Sequence, residues 1–188
     1  MLSLKVLVDG YAKKIKHGWE GNSTATLLQN DDKHILVDPG LDDEILQKAL
    51  KKEGLGKENT DYIFITHYHL DHILNIKLFS KAIIADGYYI YRGNKAIEHD
   101  GKPFGKNIEI MHTPGHTLEH SSLIVYAPKA TYAVAGDLIW WPPEKGKDLI
   151  HLPDPFAYDM KDLVESRKKL LQKADFIIPG HGKMFKME

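Results

Sequence analysis

Between residues 24 and 178 the chain keeps returning to short apolar runs rich in branched residues, each closed by Gly, Pro, Asn or Asp. Runs of that length form strands, and their spacing confines the chain to sheet-based folds with tight connections. Residues 24–29 and 34–37 flank Asn30-Asp31-Asp32-Lys33 and predict a hairpin. Residues 62–65, 82–85, 108–111, 122–126, 131–135 and 176–178 are further strand patterns, with turns at Asp86-Gly87 and Pro128-Lys129. The period changes in three places. Asp42 precedes Ile45, Leu46, Ala49 and Leu50, with Gly54 just beyond, which predicts a capped helix. Residues 73–79 predict a short helix, and Leu163, Val164, Leu170 and Leu171 an amphipathic one starting near Asp159. Residues 93–107 are read as loop, and the prolines at 142, 143, 153 and 155 exclude regular structure from 142–155. Hairpins without a strict βαβ rhythm make the fold class α+β, a sandwich. The 188 residues suit one domain spanning 1–188.

The chemistry is concentrated in Thr66-His67-Tyr68-His69-Leu70-Asp71-His72, directly after a strand pattern. Alternation points His67 and His69 the same way while Asp71 and His72 turn to a neighbouring point. With no cysteine in the chain, disulfides, thiolate ligands and cysteine nucleophiles are excluded. Imidazole and carboxylate are then the ligand set for zinc or another divalent first-row ion. His116 in His112-Thr113-Pro114-Gly115-His116 and His181 in Pro179-Gly180-His181-Gly182 sit in tight turns after strands, and Asp137 ends Ala135-Gly136-Asp137. Each is weak alone; beside the histidine cluster each becomes a candidate ligand, with Asp137 a candidate bridge between two ions.

The formal charge of −1 gives no global attraction to RNA or to an anionic membrane. No apolar run reaches membrane-spanning length, and Lys5 and Asp9 interrupt the opening segment, so a soluble, cytoplasmic protein is expected.

In their order along the chain, THYHLDH, the His of TPGH, the Asp of AGD and the His of PGHG resemble the metallo-β-lactamase superfamily. Leu36-Val37-Asp38-Pro39-Gly40 resembles that family's early strand-end aspartate, and residues 166–185 its closing helix, strand and loop. Residues 21–27 and 75–79 are similar to the small hydrolases grouped around metallo-β-lactamase domain-containing protein 1. The resemblance implies an αββα sandwich of two mixed sheets flanked by helices, with a two-metal centre at one edge. It implies that His67, His69 and His116 hold one ion, that Asp71, His72 and His181 hold the other, and that Asp137 bridges them. Asp71 is also the carboxylate whose loss should stop the reaction. Zinc is the first expectation for both ions, with iron or manganese as alternatives. Asp38 is expected to stand behind the ligands and orient a histidine, and His120 is a candidate for a similar supporting place.

Departures from the family pattern narrow the activity. Asp137 stands where zinc β-lactamases of the family carry cysteine, so β-lactam hydrolysis is not expected as the main activity. Seven residues follow His181, where glyoxalase II carries a helical glutathione-binding domain. The expectation is a dinuclear hydrolase of an ester-type bond in a small molecule, a phosphodiester first and a lactone or thioester second. A mononuclear iron protein oxidising persulfides and a glyoxalase II-like thioesterase remain as alternatives, as does a metal-stabilised binding module without turnover. Trp140 and Trp141 follow the bridging aspartate; one is expected to line the substrate pocket and the other to pack in the core. A homodimer is expected, covering an apolar face.

Overall fold

The computed structural model describes residues 2–142 and 148–187. Strands β1 (Ser3–Val8), β2 (Tyr11–Ile15), β3 (Gly18–Asn22), β4 (Ala25–Asn30) and β5 (Lys33–Val37) come first, then helix α1 (Asp43–Lys52) and β6 (Tyr62–Phe64). Helix α2 (Leu70–Ile73) runs into a 3-10 turn, Leu74–Leu78, and β7 (Ile83–Ala85), β8 (Tyr89–Arg92) and β9 (Lys95–Glu98) follow. The second half comprises β10 (Ile108–His112), β11 (Ser121–Ala127), β12 (Ala130–Gly136), α3 (Met160–Leu171), β13 (Phe176–Pro179) and β14 (Phe185–Lys186).

Two mixed sheets result, ordered β1-β4-β5-β6-β7-β8-β9 and β10-β11-β12-β13-β14, while β2 and β3 pair only with each other. The pairs β5/β6, β6/β7 and β12/β13 are parallel. Period-two alternation builds the layers. Ile35 and Val37 of β5 face Leu123 and Val125 of β11 in the core between the sheets. Leu36 points outward under Leu46 and Leu50 of α1, and Ile124 points outward under Leu163 and Leu170 of α3. The order helix, sheet, sheet, helix is the expected αββα sandwich. Asp42 caps α1 as read, accepting from the Ile45 amide at 3.0 Å, and Asp159, where the second helix was expected to start, caps α3 by accepting from Lys161 and Asp162.

Two local expectations need correction. Residues 93–107 are not all loop, because β8 and β9 form a hairpin on the sheet edge. Every residue of β9 is exposed, so no apolar alternation marks it. Residues 73–79 do not form one helix; an α turn ends at Ile73 and a 3-10 turn continues. Strands β1 to β3 lie in a stretch to which the sequence reading assigns no element, and the β2–β3 hairpin is exposed along most of its length. Within 142–155 the described residues contain no helix or strand; 143–147 lie outside them. No helix among the described residues is long and apolar enough to cross a membrane.

Candidate metal centre

Parallel pairing brings the C-terminal ends of β5 and β6 side by side in one sheet, and those of β12 and β13 in the other. Asp38 follows β5, the run 66–72 follows β6, Asp137 follows β12 and His181 lies two residues beyond β13. His116 enters from the β10–β11 connection. All of these loops meet at one edge of the sandwich, because strand ends are where backbone is free to turn and present side chains.

Hydrogen bonds behind the histidines fix which nitrogen faces the centre. Thr66 Oγ1 donates its only proton to Asp38 Oδ2 at 2.7 Å, so at His67 Nδ1, 3.0 Å away, it accepts. His72 Nδ1 donates to the same Asp38 Oδ2 at 2.8 Å. His116 Nδ1 donates to Asp154 Oδ2 at 2.7 Å, and His181 Nδ1 to the Asn22 carbonyl at 3.1 Å. Each of these four rings therefore turns an Nε2 lone pair inward. His69 Nδ1 lies 3.0 Å from both His67 Nε2 and His116 Nε2.

The donor atoms fall into two groups, His67, His69, His116 and Asp137 in one, and Asp71, His72 and His181 in the other, each set within 4.8 Å of one another. Asp137 reaches both. Its Oδ1 is 3.2 Å from His72 Nε2, and its Oδ2 is 3.4 Å from His181 Nε2 and 3.5 Å from His116 Nε2. Although close, Asp137 Oδ1 and His72 Nε2 make no hydrogen bond of acceptable geometry and have no other partner. Unpaired buried atoms of this kind are costly unless a cation meets them.

Charge gives the same reading. Burial and neighbouring His72 hold His67 well below the ordinary imidazole range. Burial would lower His72 as well, but Asp137 and Asp38 outweigh it and hold that ring well above the range. Burial opposes the charge on Asp137, yet His72 and His181 keep its carboxyl well below the usual carboxylate range. Two buried carboxylates thus call for positive charge at the centre, which a proton on His72 or a metal ion can supply. The donor set and the orphaned atoms fit divalent ions.

Two glycines are required by this packing. Gly136 has φ +53, and a Cβ there would lie 2.7 Å from Thr66 Oγ1 and 2.8 Å from His120 Nε2. A Cβ on Gly180 would lie 1.9 Å from Asp137 Oδ1.

The structure thus brings His67, His69, Asp71, His72, His116, Asp137 and His181 together, with Asp38 behind His67 and His72. Asp38 adopts a left-handed backbone, φ 48, an uncommon conformation for a non-glycine residue that its three side-chain hydrogen bonds and the bond from its amide to the Phe64 carbonyl hold in place. His120 is fully buried, 5.2 Å from the His67 ring, and its Nδ1 pairs with Thr113 Oγ1 at 2.9 Å. It packs behind a ligand without hydrogen-bonding one, and burial together with His116 pushes it down to about 3. Trp140 lines the cleft over the centre, but Trp141 does not; it is 40% exposed and lies outside both the cleft and the core, lining a separate cavity with Leu149 and Leu152. Both tryptophans lie beyond the end of β12 at Gly136, so strand alternation does not set their directions. Sequence reasoning missed Asp154, Trp19 and Phe156; an acid flanked by prolines in Pro153-Asp154-Pro155 was the available signal for the first.

A cleft of about 750 Å³ opens over His69, Asp71, Asp137 and His181. Residues 18–181 match the family model described as the metallo-β-lactamase superfamily. A Xenopus laevis protein named metallo-β-lactamase domain-containing protein 1 is 34% identical over 197 residues, covering 98% of this chain and 82% of that protein. A Methanocaldococcus jannaschii protein described as a metallo-hydrolase is 33% identical over 149 residues, covering 78% of this chain and 70% of that one. A Thermotoga maritima crystal structure described as a metallo-β-lactamase superposes with a TM-score of 0.77 at 21% identity, covering 99% of both chains.

Proposed function

The chain belongs to the metallo-β-lactamase superfamily and is a metal-dependent hydrolase, and on that premise we propose that its two ligand groups hold two divalent ions and hydrolyse an ester-type bond. The observation that carries the reading is Asp137, whose two oxygens reach the inward nitrogens of both groups. His67, His69 and His116 would hold one ion, Asp71, His72 and His181 the other, and Asp137 would bridge, with zinc the first expectation for this N/O donor set. Such ions supply Lewis acidity and acidify water toward neutrality, so no side-chain nucleophile is needed. The protein's own part is to fix the donors: Asp38 and Thr66 orient His72 and His67, Asp154 orients His116, and the Asn22 carbonyl orients His181. The apolar flank of the cleft limits water around the bond to be broken. Among the ester types, the described lining carries no Lys or Arg, which supports a lactone or thioester over the phosphodiester placed first by the sequence.

Elemental analysis of the purified protein together with turnover of simple esters tests the reading. Two ions per chain and loss of turnover in His116→Ala are expected. One iron per chain with oxygen consumption on persulfides would replace hydrolysis by the oxidative alternative.

A further inference from the structure

The cleft has two apolar walls built from unrelated parts of the chain. On one side Trp140 and Phe156 stack with centroids 5.4 Å apart and planes 7° apart, and Trp19 meets both edge-on at 5.8 and 5.7 Å. Leu41, Leu70 and Leu74 also line the cleft, and none of them makes a ring contact with that cluster. Leu70 lies between the ligand candidates His69 and Asp71, yet it is 67% exposed, and Trp19, Phe156, Leu41 and Leu74 are each exposed by 40% or more. Large apolar side chains gathered around one concavity, and not dispersed over the surface, mark a place that an apolar group covers.

The charges sharpen this. Among the described lining residues the charged ones are Glu20, Asp71 and Asp137, without a lysine or arginine. Glu20 is held at the rim by Lys13 at 3.3 Å. Outside the ligands the cleft therefore offers nothing to pair with a polyanion, and it presents carboxylate to one.

The hairpin explains how the aromatic wall is maintained. β2 and β3 join neither large sheet, and a lone two-stranded ribbon is marginal in water. Asn22 anchors its end to the body by accepting from the Leu41 and Asp42 amides, and Trp19 packs against Trp140 and Phe156, so one of the hairpin's contacts with the body also lines the cleft.

Resting on the hydrolase reading above, we propose that the substrate is an uncharged ester carrying an apolar group, an acyl chain or an aryl ring, that lies between the Trp19/Trp140/Phe156 wall and the Leu41/Leu70/Leu74 wall. Each methylene placed between the walls should raise kcat/KM about two- to fourfold, the upper figure corresponding to full burial.

The test uses the full chain loaded with zinc and compares methyl acetate with methyl hexanoate, hexyl acetate and methyl phenylacetate by acid release. At least tenfold higher kcat/KM is expected for one or more of the three longer esters, and which one gains identifies the side of the bond and the kind of group. In metal-free protein, tryptophan fluorescence should respond to that ester at much lower concentration than to methyl acetate. Trp19→Ala and Leu70→Ser should each shrink the long-to-short ratio at least fivefold; Leu70, being exposed, keeps the test usable if the tryptophan variant does not fold. Equal kcat/KM for all four esters with no length-dependent fluorescence change would overturn the inference, as would displacement of the ester by a 12-mer oligonucleotide. Length-dependent binding with two ions bound but no turnover of any ester would uphold the apolar slot and count against the hydrolase reading.

Discussion

Asp154 Oδ2 lies 2.7 Å from Nδ1 of His116, so a carboxylate from the proline-rich loop sets the orientation of a candidate metal ligand 38 residues earlier in the chain. The other oxygen, Oδ1, accepts from the Phe156 amide at 2.9 Å. One side chain therefore positions a ligand and shapes the turn that carries Phe156 into the aromatic wall. The loop itself is bolted to α3 by the buried Arg167, whose Nε donates to the Leu138 carbonyl at 2.8 Å and whose guanidinium also reaches the Ile150 carbonyl.

Removing this carboxylate should weaken metal binding. Asp154→Ala is expected to lower affinity by about 10- to 100-fold, the usual effect of losing a partner behind a histidine ligand. Asp154→Asn, which keeps a carbonyl acceptor, should recover most of it. Competition against a chromophoric chelator measures both, and an unchanged affinity in the alanine variant would remove the positioning role.

Metal stoichiometry should divide along the two ligand groups. Wild-type protein is expected to carry two ions per chain, and Asp71→Ala to lose occupancy of the Asp71/His72/His181 group with a steep fall in hydrolysis. Elemental analysis of both proteins decides this. Full occupancy in the variant would place Asp71 outside the ligand set.

Gly180→Ala should disturb the centre without replacing a ligand. The added methyl would sit 1.9 Å from Asp137 Oδ1 and 2.9 Å from the Gly136 backbone. The expected cost is about 1–3 kcal/mol of stability from overpacking, accompanied by reduced occupancy of both groups. Wild-type occupancy and urea midpoint in this variant would show that the Asp137 turn yields more easily than its packing implies.

Asp86 provides a test of stability away from the ligands. Burial would raise its carboxyl, but hydrogen bonds from Tyr68, Tyr91 and the amides of Tyr88 and Tyr89 outweigh this and lower it. The unfolded chain therefore takes up the proton first as pH falls. The stabilisation is fully present above the ordinary value near 3.8 and is lost below it, as pH falls through the depressed value of the folded protein. Asp86→Asn turns an amide NH2 toward one pair of these donors and should cost about 1–3 kcal/mol at pH 7. The gap in urea midpoint between wild type and variant should narrow from pH 7 to pH 3, and a gap that stays constant would contradict the assignment.

Much of this protein was determined by its sequence alone. The histidines and aspartates of the centre were legible because each sits in a short run fixed by residue type, such as the tight Pro-Gly turns before His116 and His181, immediately after a strand pattern. The hairpin at Asp31-Asp32, the capping aspartate at 42, the start of α3 near Asp159 and the strands β5 and β11 were legible for the same reason: their signals lie within one turn or one period of the chain. Tertiary structure alone decided the rest. The pairing of Asp154 with His116 and of Asn22 with His181 joins residues 38 and 159 positions apart, and no local period encodes such a distance. Both tryptophans lie in the loop beyond the end of β12 at Gly136, and the path of that loop puts Trp140, not Trp141, in the cleft. Trp19 becomes part of the same wall only because an exposed hairpin, whose residues carry almost no alternation, folds back over the sheet edge where the strand ends converge.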